Sequence, residues 1–244
     1  MPSNAELKQY AALKLPKYRQ KYGQFMVEGR KAVSEVFHSD MEVVTILATK
    51  AFQEKEKPPF GCDIISETEM KKLSSFTTPP GVVAIVKIPE NASGSVDFNA
   101  PVILALDGIS DPGNLGTIIR TADWYGVSHV LLSENCTDFY NPKCLAATMG
   151  SFIRVKPVYG DLKKLLTGKN VYGCYLTGEN MHIHTFRYPA ILLIGSESHG
   201  ISADLADCVK TRVTIPAYGQ AESLNAGIAA AVVLDRMVSG HTGI

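Results

Sequence analysis

Apolar positions in the first 88 residues fall in short runs of mixed period. GQFMVEGRKAVSEVF reads as a short strand running into a helix, and VVTILAT as a strand by its β-branched content. TEMKKLSS predicts a helix, and GVVAIVKI a strand entered from a Pro-Pro-Gly turn. The pattern then breaks. Residues 89–101, PENASGSVDFNAP, are small, polar and bounded by proline, which predicts a linker. The organisation expected is a small α/β domain over 1–90, a linker over 91–101 and a second domain over 102–244.

Beyond the linker, fully apolar runs alternate with helical patterns. VILAL (102–106), HVLLS (129–133), FIRVKPV (152–158), VYGCYL (171–176), AILLIG (190–195) and RVTIP (212–216) read as strands. Helices are expected over 114–126, in NPKCLAATMG with Gly150 at its end, in DLKKLL, and from about 222 to 238. Buried strands alternating with helices predict an α/β domain built on a parallel sheet covered on both faces.

Composition adds exclusions. Lys+Arg and Asp+Glu number 24 each, so overall charge gives no pointer to nucleic acid. The distribution is uneven: residues 1–31 hold seven basic side chains against two acidic ones, while from residue 91 onward 11 basic face 13 acidic. The N-terminal excess is either a solvated helix face or an RNA-binding surface. Five cysteines without a C-x-x-C pair predict neither a disulfide framework nor a zinc ribbon, and fit a reducing cytoplasm. No signal peptide and no membrane span is expected.

In parallel α/β sheets, ligands bind beyond the C-terminal ends of the strands. Three such loops are rich in Gly, Ser, Asn and Glu: DGISDPGNLGTIIRTADWYGV, GSESHGIS and AYGQAESLNAGIAAAVVLDRM. Generic motifs fail in them. GISDPGNLG has a phosphate-loop glycine spacing but Asn114 where the lysine belongs, and G-N-L-G is not a dinucleotide fingerprint. GSESHG nearly matches a nucleophile elbow around Ser198, but Ser196 replaces its first glycine and no partner His or acid is assigned. His182 and His184, read on one strand face, lack a third metal ligand, so no metal is expected.

Taken together, the three loops resemble the SpoU (TrmH-like) family of RNA ribose 2′-O-methyltransferases. DPGNLGTIIRTADWYGV is similar to its first motif, N-x-G-x-x-x-R-x-A; LLIGSESHGIS to its second, G-x-E-x-x-G; IPAYGQAESLNAGIAAAVVL to its third, I-P followed by S-L-N. The resemblance covers roughly residues 102–238, and the N-terminal unit resembles the family's small RNA-binding domain. One position departs: the middle segment has Ala146 where the family often carries an arginine.

The resemblance implies a trefoil-knotted catalytic domain, S-adenosylmethionine as cofactor, a homodimer, and RNA as substrate, ribosomal rather than transfer RNA. It places Asn114, Arg120, Glu197, Ser223 and Asn225 in the catalytic pocket, with Gly195, Ile215 and Leu224 holding the cofactor through their backbones. Each has a plainer reading. Asn114 and Ser223 could be N-caps, Arg120 a snorkelling helix residue, Glu197 a solvated loop carboxylate, Ile215 and Leu224 ordinary packing. Lys14, Lys17, Arg19, Lys21 and Arg30, interleaved with Tyr18 and Tyr22, are the expected RNA contacts. A non-catalytic RNA-binding module and a Ser198 hydrolase are the competing classes.

Overall fold

The computed structural model describes residues 2–89 and 96–242. They pack as two compact units: Met1–Glu90 with Asp138–Ile153, and Asn91–Thr137 with Arg154–Ile244.

In the first unit, helix α1 (Asn4–Ala12) starts at a capping box: the Ser3 hydroxyl takes the Glu6 amide while the Glu6 carboxylate takes the Ser3 amide. Helix α2 (Pro16–Tyr22) opens on proline and ends at Gly23, whose φ of 59° is left-handed. Then follow β1 (Gln24–Glu28), α3 (Arg30–Phe37), β2 (Val43–Thr49), α4 (Lys50–Glu56), β3 (Asp63–Ile65), α5 (Glu67–Leu73) and β4 (Val82–Lys87). The sheet order is β1-β4-β2-β3, with β4 antiparallel to both of its neighbours. Met26, Leu47, Met70, Leu73 and Ile85 form its core, closed by Tyr10 and Leu13 from the end of α1.

In the second unit, β5 (Val102–Leu106) leads to α6 (Pro112–Trp124) and β6 (His129–Leu132). Helix α7 (Pro142–Thr148) belongs to the first unit; β7 (Lys156–Tyr159), α8 (Leu162–Leu166), β8 (Val171–Asn180), β9 (Ala190–Ile194), β10 (Thr211–Thr214) and α9 (Ala226–Thr242) complete the second. Its six strands run in the order β10-β8-β9-β5-β6-β7, every pairing parallel. The chain leaves the β7 edge, restarts beyond β5 at β8, and fills the gap with β9. The loops that leave β5 and β9 are therefore neighbours, since Leu106 is registered with Ile194. Helices α6 and α9 lie close: a side chain at Gly227 would come within 3.3 Å of Thr117, and the Tyr125 hydroxyl donates to Asp235 at 2.9 Å.

Several elements differ from the sequence reading. The expected strand at 152–158 starts only at Lys156; residues 151–153 form a single 3₁₀ turn with Phe152 buried. Segment 138–153, which the sequence reading kept with the C-terminal domain, packs in the first unit. Phe25 lies tilted against Tyr140 (4.5 Å between centroids) and meets Phe152 edge-on (6.1 Å), and Arg19 pairs with Asp138. Periodicity shows that such a segment is buried, but not against which sheet. His182 and His184 lie after β8, with His182 in a turn, not on one strand face. Of the expected linker, residues 91–95 lie outside the described residues.

Candidate active site

Each of the three loops is fixed by its own local chemistry. After β5, the buried Cys136 thiol donates to the Leu106 carbonyl and accepts from the Ile109 amide, both at 3.3 Å. Burial pushes that thiol above its ordinary value, so it stays protonated and serves as a hydrogen-bonding group. The Asp107 carboxylate, also buried, accepts from the Ser202 amide at 2.7 Å and ties this loop to the one after β9. Helix α6 is capped by Asp111, whose carboxylate takes the Asn114 amide at 2.9 Å, with Pro112 at the first helical position. Asn114 is therefore a first-turn residue, not the cap, and its amide side chain is left for other work.

After β9, Ser196 and Gly200 exchange backbone hydrogen bonds at 3.1 and 2.9 Å, closing a tight turn that presents Glu197. A side chain at Gly195 would collide with the Gly200 backbone, so only glycine lets the chain double back there. Helix α9 starts at Ala226, later than the expected 222, because Asn225 caps it: Asn225 Oδ1 accepts from the Gly227 amide at 2.9 Å and the Ile228 amide at 3.4 Å. Ser223 is exposed, is not the cap, and makes no side-chain hydrogen bond among the described residues.

The three loops converge on one carboxylate oxygen. Glu197 Oε1 accepts from Asn114 Nδ2 at 2.9 Å, Asn225 Nδ2 at 2.6 Å and the Ala226 amide at 3.1 Å. Asn225 Nδ2 also reaches Asn114 Oδ1 at 2.9 Å. The anion sits at the amino ends of both α6 and α9, where two helix dipoles favour it. Sequence spacing could nominate these residues but not the acceptor they share.

Arg120 lies about 9 Å further along α6 at 1.5 Å per residue. It is exposed and has no hydrogen-bond or ion-pair partner among the described residues. Its nearest acidic neighbour on the helix, Asp123, is held by the Arg154 guanidinium at distances of 2.7 and 3.0 Å. Gly195 and Ile215 are half-buried and Leu224 is exposed on the same side of the sheet ends.

The N-terminal cations separate into two groups. Arg19 is only 1% exposed; its guanidinium pairs with Asp138 and donates to the carbonyls of Leu13 (2.7 Å) and Lys14 (2.9 Å). That corrects its expected role as an RNA contact: a buried guanidinium tied to Asp138 and two backbone carbonyls cannot meet a phosphate. Lys14 is half-buried and its ammonium donates to the carbonyls of Lys72 and Ser74, so it too serves the fold. Lys17 and Lys21 are exposed, each over the ring of the tyrosine that follows it, and Tyr18 and Tyr22 stack in parallel (centroids 6.1 Å apart). Arg30 is exposed and pairs with Glu56 at 2.7 Å.

Ser198 Oγ lies 2.8 Å from His199 Nδ1, but the two are adjacent on an exposed turn and no carboxylate hydrogen-bonds His199 among the described residues, so no triad forms. His184 pairs with Glu179. Among the described residues no group of three metal-ligating side chains occurs, and no helix is long and apolar enough to cross a membrane.

Known proteins are similar to this chain in sequence and fold. Residues 101–235 match the SpoU rRNA Methylase family, and residues 4–84 match the MRM3-like substrate binding domain. The chain is 30% identical over 239 residues, 95% of each chain, to the 23S rRNA (guanosine(2553)-2'-O)-methyltransferase RlmP of Bacillus subtilis. It superposes on a TrmH-family protein of Porphyromonas gingivalis with a TM-score of 0.85 at 34% identity, covering 97% of this chain and 98% of that one. It superposes on the SpoU methyltransferase AviRb of Streptomyces viridochromogenes, solved with AdoMet, with a TM-score of 0.83 at 26% identity, covering 98% and 99%. With a family match over more than half its length, the chain belongs to the SpoU rRNA methylase family.

Proposed function

We propose that the protein methylates the 2′-hydroxyl of a ribose in ribosomal RNA, with S-adenosylmethionine as donor. The observation that carries this reading is the convergence of Asn114, Glu197 and Asn225 from three separate loops, with Arg120 exposed and unpaired further along α6. The residues present fit the cofactor: the doubled-back turn has no room for a side chain at Gly195 and leaves backbone groups to bind it there, as do Ile215 and Leu224. When bound, S-adenosylmethionine supplies an electrophilic methyl on a positively charged sulfur. The protein's part is alignment of the hydroxyl for in-line attack.

Arg120 holds the phosphate next to the target ribose and stabilises the negative charge that develops on the 2′ oxygen. Its guanidinium stays charged throughout, so the proton goes to phosphate or water rather than to Arg120. Glu197 and Asn225 fix Asn114 at the mouth of the site. Ser223 lies in the same loop as Asn225 and is left a supporting contact to RNA. A homodimer accords with two bare apolar side chains, Trp124 (84% exposed) on α6 and Ile228 (51%) on α9. Cytoplasmic residence accords with five free cysteines. The trefoil knot implied by the family is assigned to the loops after β9 and β10.

The test is product identity. Protein-free large-subunit ribosomal RNA incubated with the protein and S-adenosylmethionine, then digested to nucleosides, yields a 2′-O-methyl nucleoside. A methyl group on a base, or none, contradicts the reading.

A further inference from the structure

The first unit carries a cleft of about 340 Å³, lined by none of the residues that converge on Glu197. Its walls include Gly29, Arg30, Lys31, Phe76, Ala146 and Met149. Two features mark it as prepared for a ligand. Phe76 and Met149 are 46% and 48% exposed, large apolar side chains turned toward one concavity. Both are also held in place. Glu28 accepts from the Ser75 amide at 2.8 Å and from the Ser74 hydroxyl, which in turn takes the Phe76 amide at 3.1 Å. Met149 has a left-handed backbone, φ 53°, uncommon for a residue with a side chain. The next residue, Gly150, has a φ of 100°, a conformation that suits glycine, with the Glu35 carboxylate against it.

Size and charge narrow the occupant. The volume is at the low end of small-molecule sites, roughly 300–1,000 Å³, and suits one planar group rather than a helix. Ala146 keeps the floor open. Arg30 and Lys31 stand exposed at the rim, in solvent-facing pairs with Glu56 and Glu35 that anionic groups on either side of an inserted ring would displace. Three of the four N-terminal wall residues among these are consecutive, and all four fall inside the segment matching a substrate-binding domain. We propose that this cleft takes one unpaired base of the RNA substrate, stacked on Phe76 against Met149, with Arg30 and Lys31 on the flanking phosphates. The proposal rests on the RNA-methylating reading above and names where that RNA is gripped.

The experiment measures binding of the full-length protein to protein-free large-subunit ribosomal RNA across a range of salt. Phe76→Ala and Phe76→Leu weaken binding by about 5- to 150-fold, the scale of one stacked base, and leave the salt slope unchanged. Phe76→Trp keeps wild-type affinity, because it restores a ring where leucine restores only bulk. Ala146→Leu fills the floor and weakens binding likewise. Arg30→Ala with Lys31→Ala flattens the log–log salt slope by about 0.7 for each phosphate left without a cation. Cofactor affinity is unchanged in all of them. Wild-type affinity in both Phe76→Ala and Phe76→Leu overturns the cleft proposal while leaving the methyltransferase intact. A wild-type protein that binds cofactor but no RNA overturns the RNA reading, and this proposal with it.

Discussion

At the scale of single residues, Glu197 decides the site's geometry. Three N–H donors share its Oε1, and two of them are side chains from different loops. Glu197→Ala leaves Asn114 and Asn225 to turn toward water, and a misplacement of about 1 Å in such a site costs on the order of 10²-fold in rate. Glu197→Gln keeps an acceptor oxygen at the same place and is expected to recover most of that loss. Methyl-transfer rates on the three proteins check this; alanine at wild-type rate would reduce Glu197 to a solvated loop carboxylate. Asn114 and Asn225 were legible as candidates in the sequence, but their division of labour was not. The spacing made Asn114 and Ser223 look like caps. The caps are Asp111 and Asn225, because each has a carboxylate or amide oxygen of the right reach one residue before its helix starts. Asp111 precedes a proline at the first helical position, a signal the sequence did offer.

At the scale of elements, strands were read more faithfully than helices. β5 and β9 are buried at every position and announce themselves as continuous apolar runs. Helices α1, α2 and α4 are nine, seven and seven residues long, too short for a helical period to stand out, although Ser3 and Glu6 spell a capping box. Arg19 illustrates the harder failure. In α2 it sits among exposed cations, and nothing local tells that it turns inward to Asp138, 119 residues away. Arg19→Leu strands Asp138 and the Leu13 and Lys14 carbonyls. Asp138 keeps some exposure to water, so the expected cost is about 2–4 kcal/mol, within the range for breaking a buried pair and its hydrogen bonds. Denaturant unfolding measures it, and the double variant Arg19→Leu with Asp138→Leu should regain part of the loss. A change below about 0.5 kcal/mol, as at an ordinary surface site, would contradict the assignment.

At the scale of the whole molecule, charge and chemistry reside in different parts of the sequence. The N-terminal 31 residues carry the basic excess, and the residues from 91 onward are slightly acidic. With Arg19 and Lys14 committed to the fold, the exposed share of that excess on α2 is Lys17 and Lys21 beside stacked Tyr18 and Tyr22. Reversing Lys17 and Lys21 to Glu should weaken RNA binding and flatten its salt dependence, by about 0.7 in slope for each phosphate left without a cation, while cofactor affinity holds. Titrations in increasing salt test this; an unchanged slope would make α2 a solvated helix face.

The central claim is that α6 and the loops after β9 and β10 make a methyl-transfer site in which Arg120 acts on RNA. The most direct measurement pairs two readouts on Arg120→Ala: S-adenosylmethionine affinity by calorimetry, and single-turnover transfer to ribosomal RNA. The account predicts near-normal cofactor affinity with transfer reduced at least roughly 10²-fold, the scale for losing one transition-state donor. Arg120→Lys should fail as well, since a point charge cannot replace the planar fork. Near-normal transfer by Arg120→Ala would contradict the account and leave Arg120 a snorkelling residue on the surface of α6.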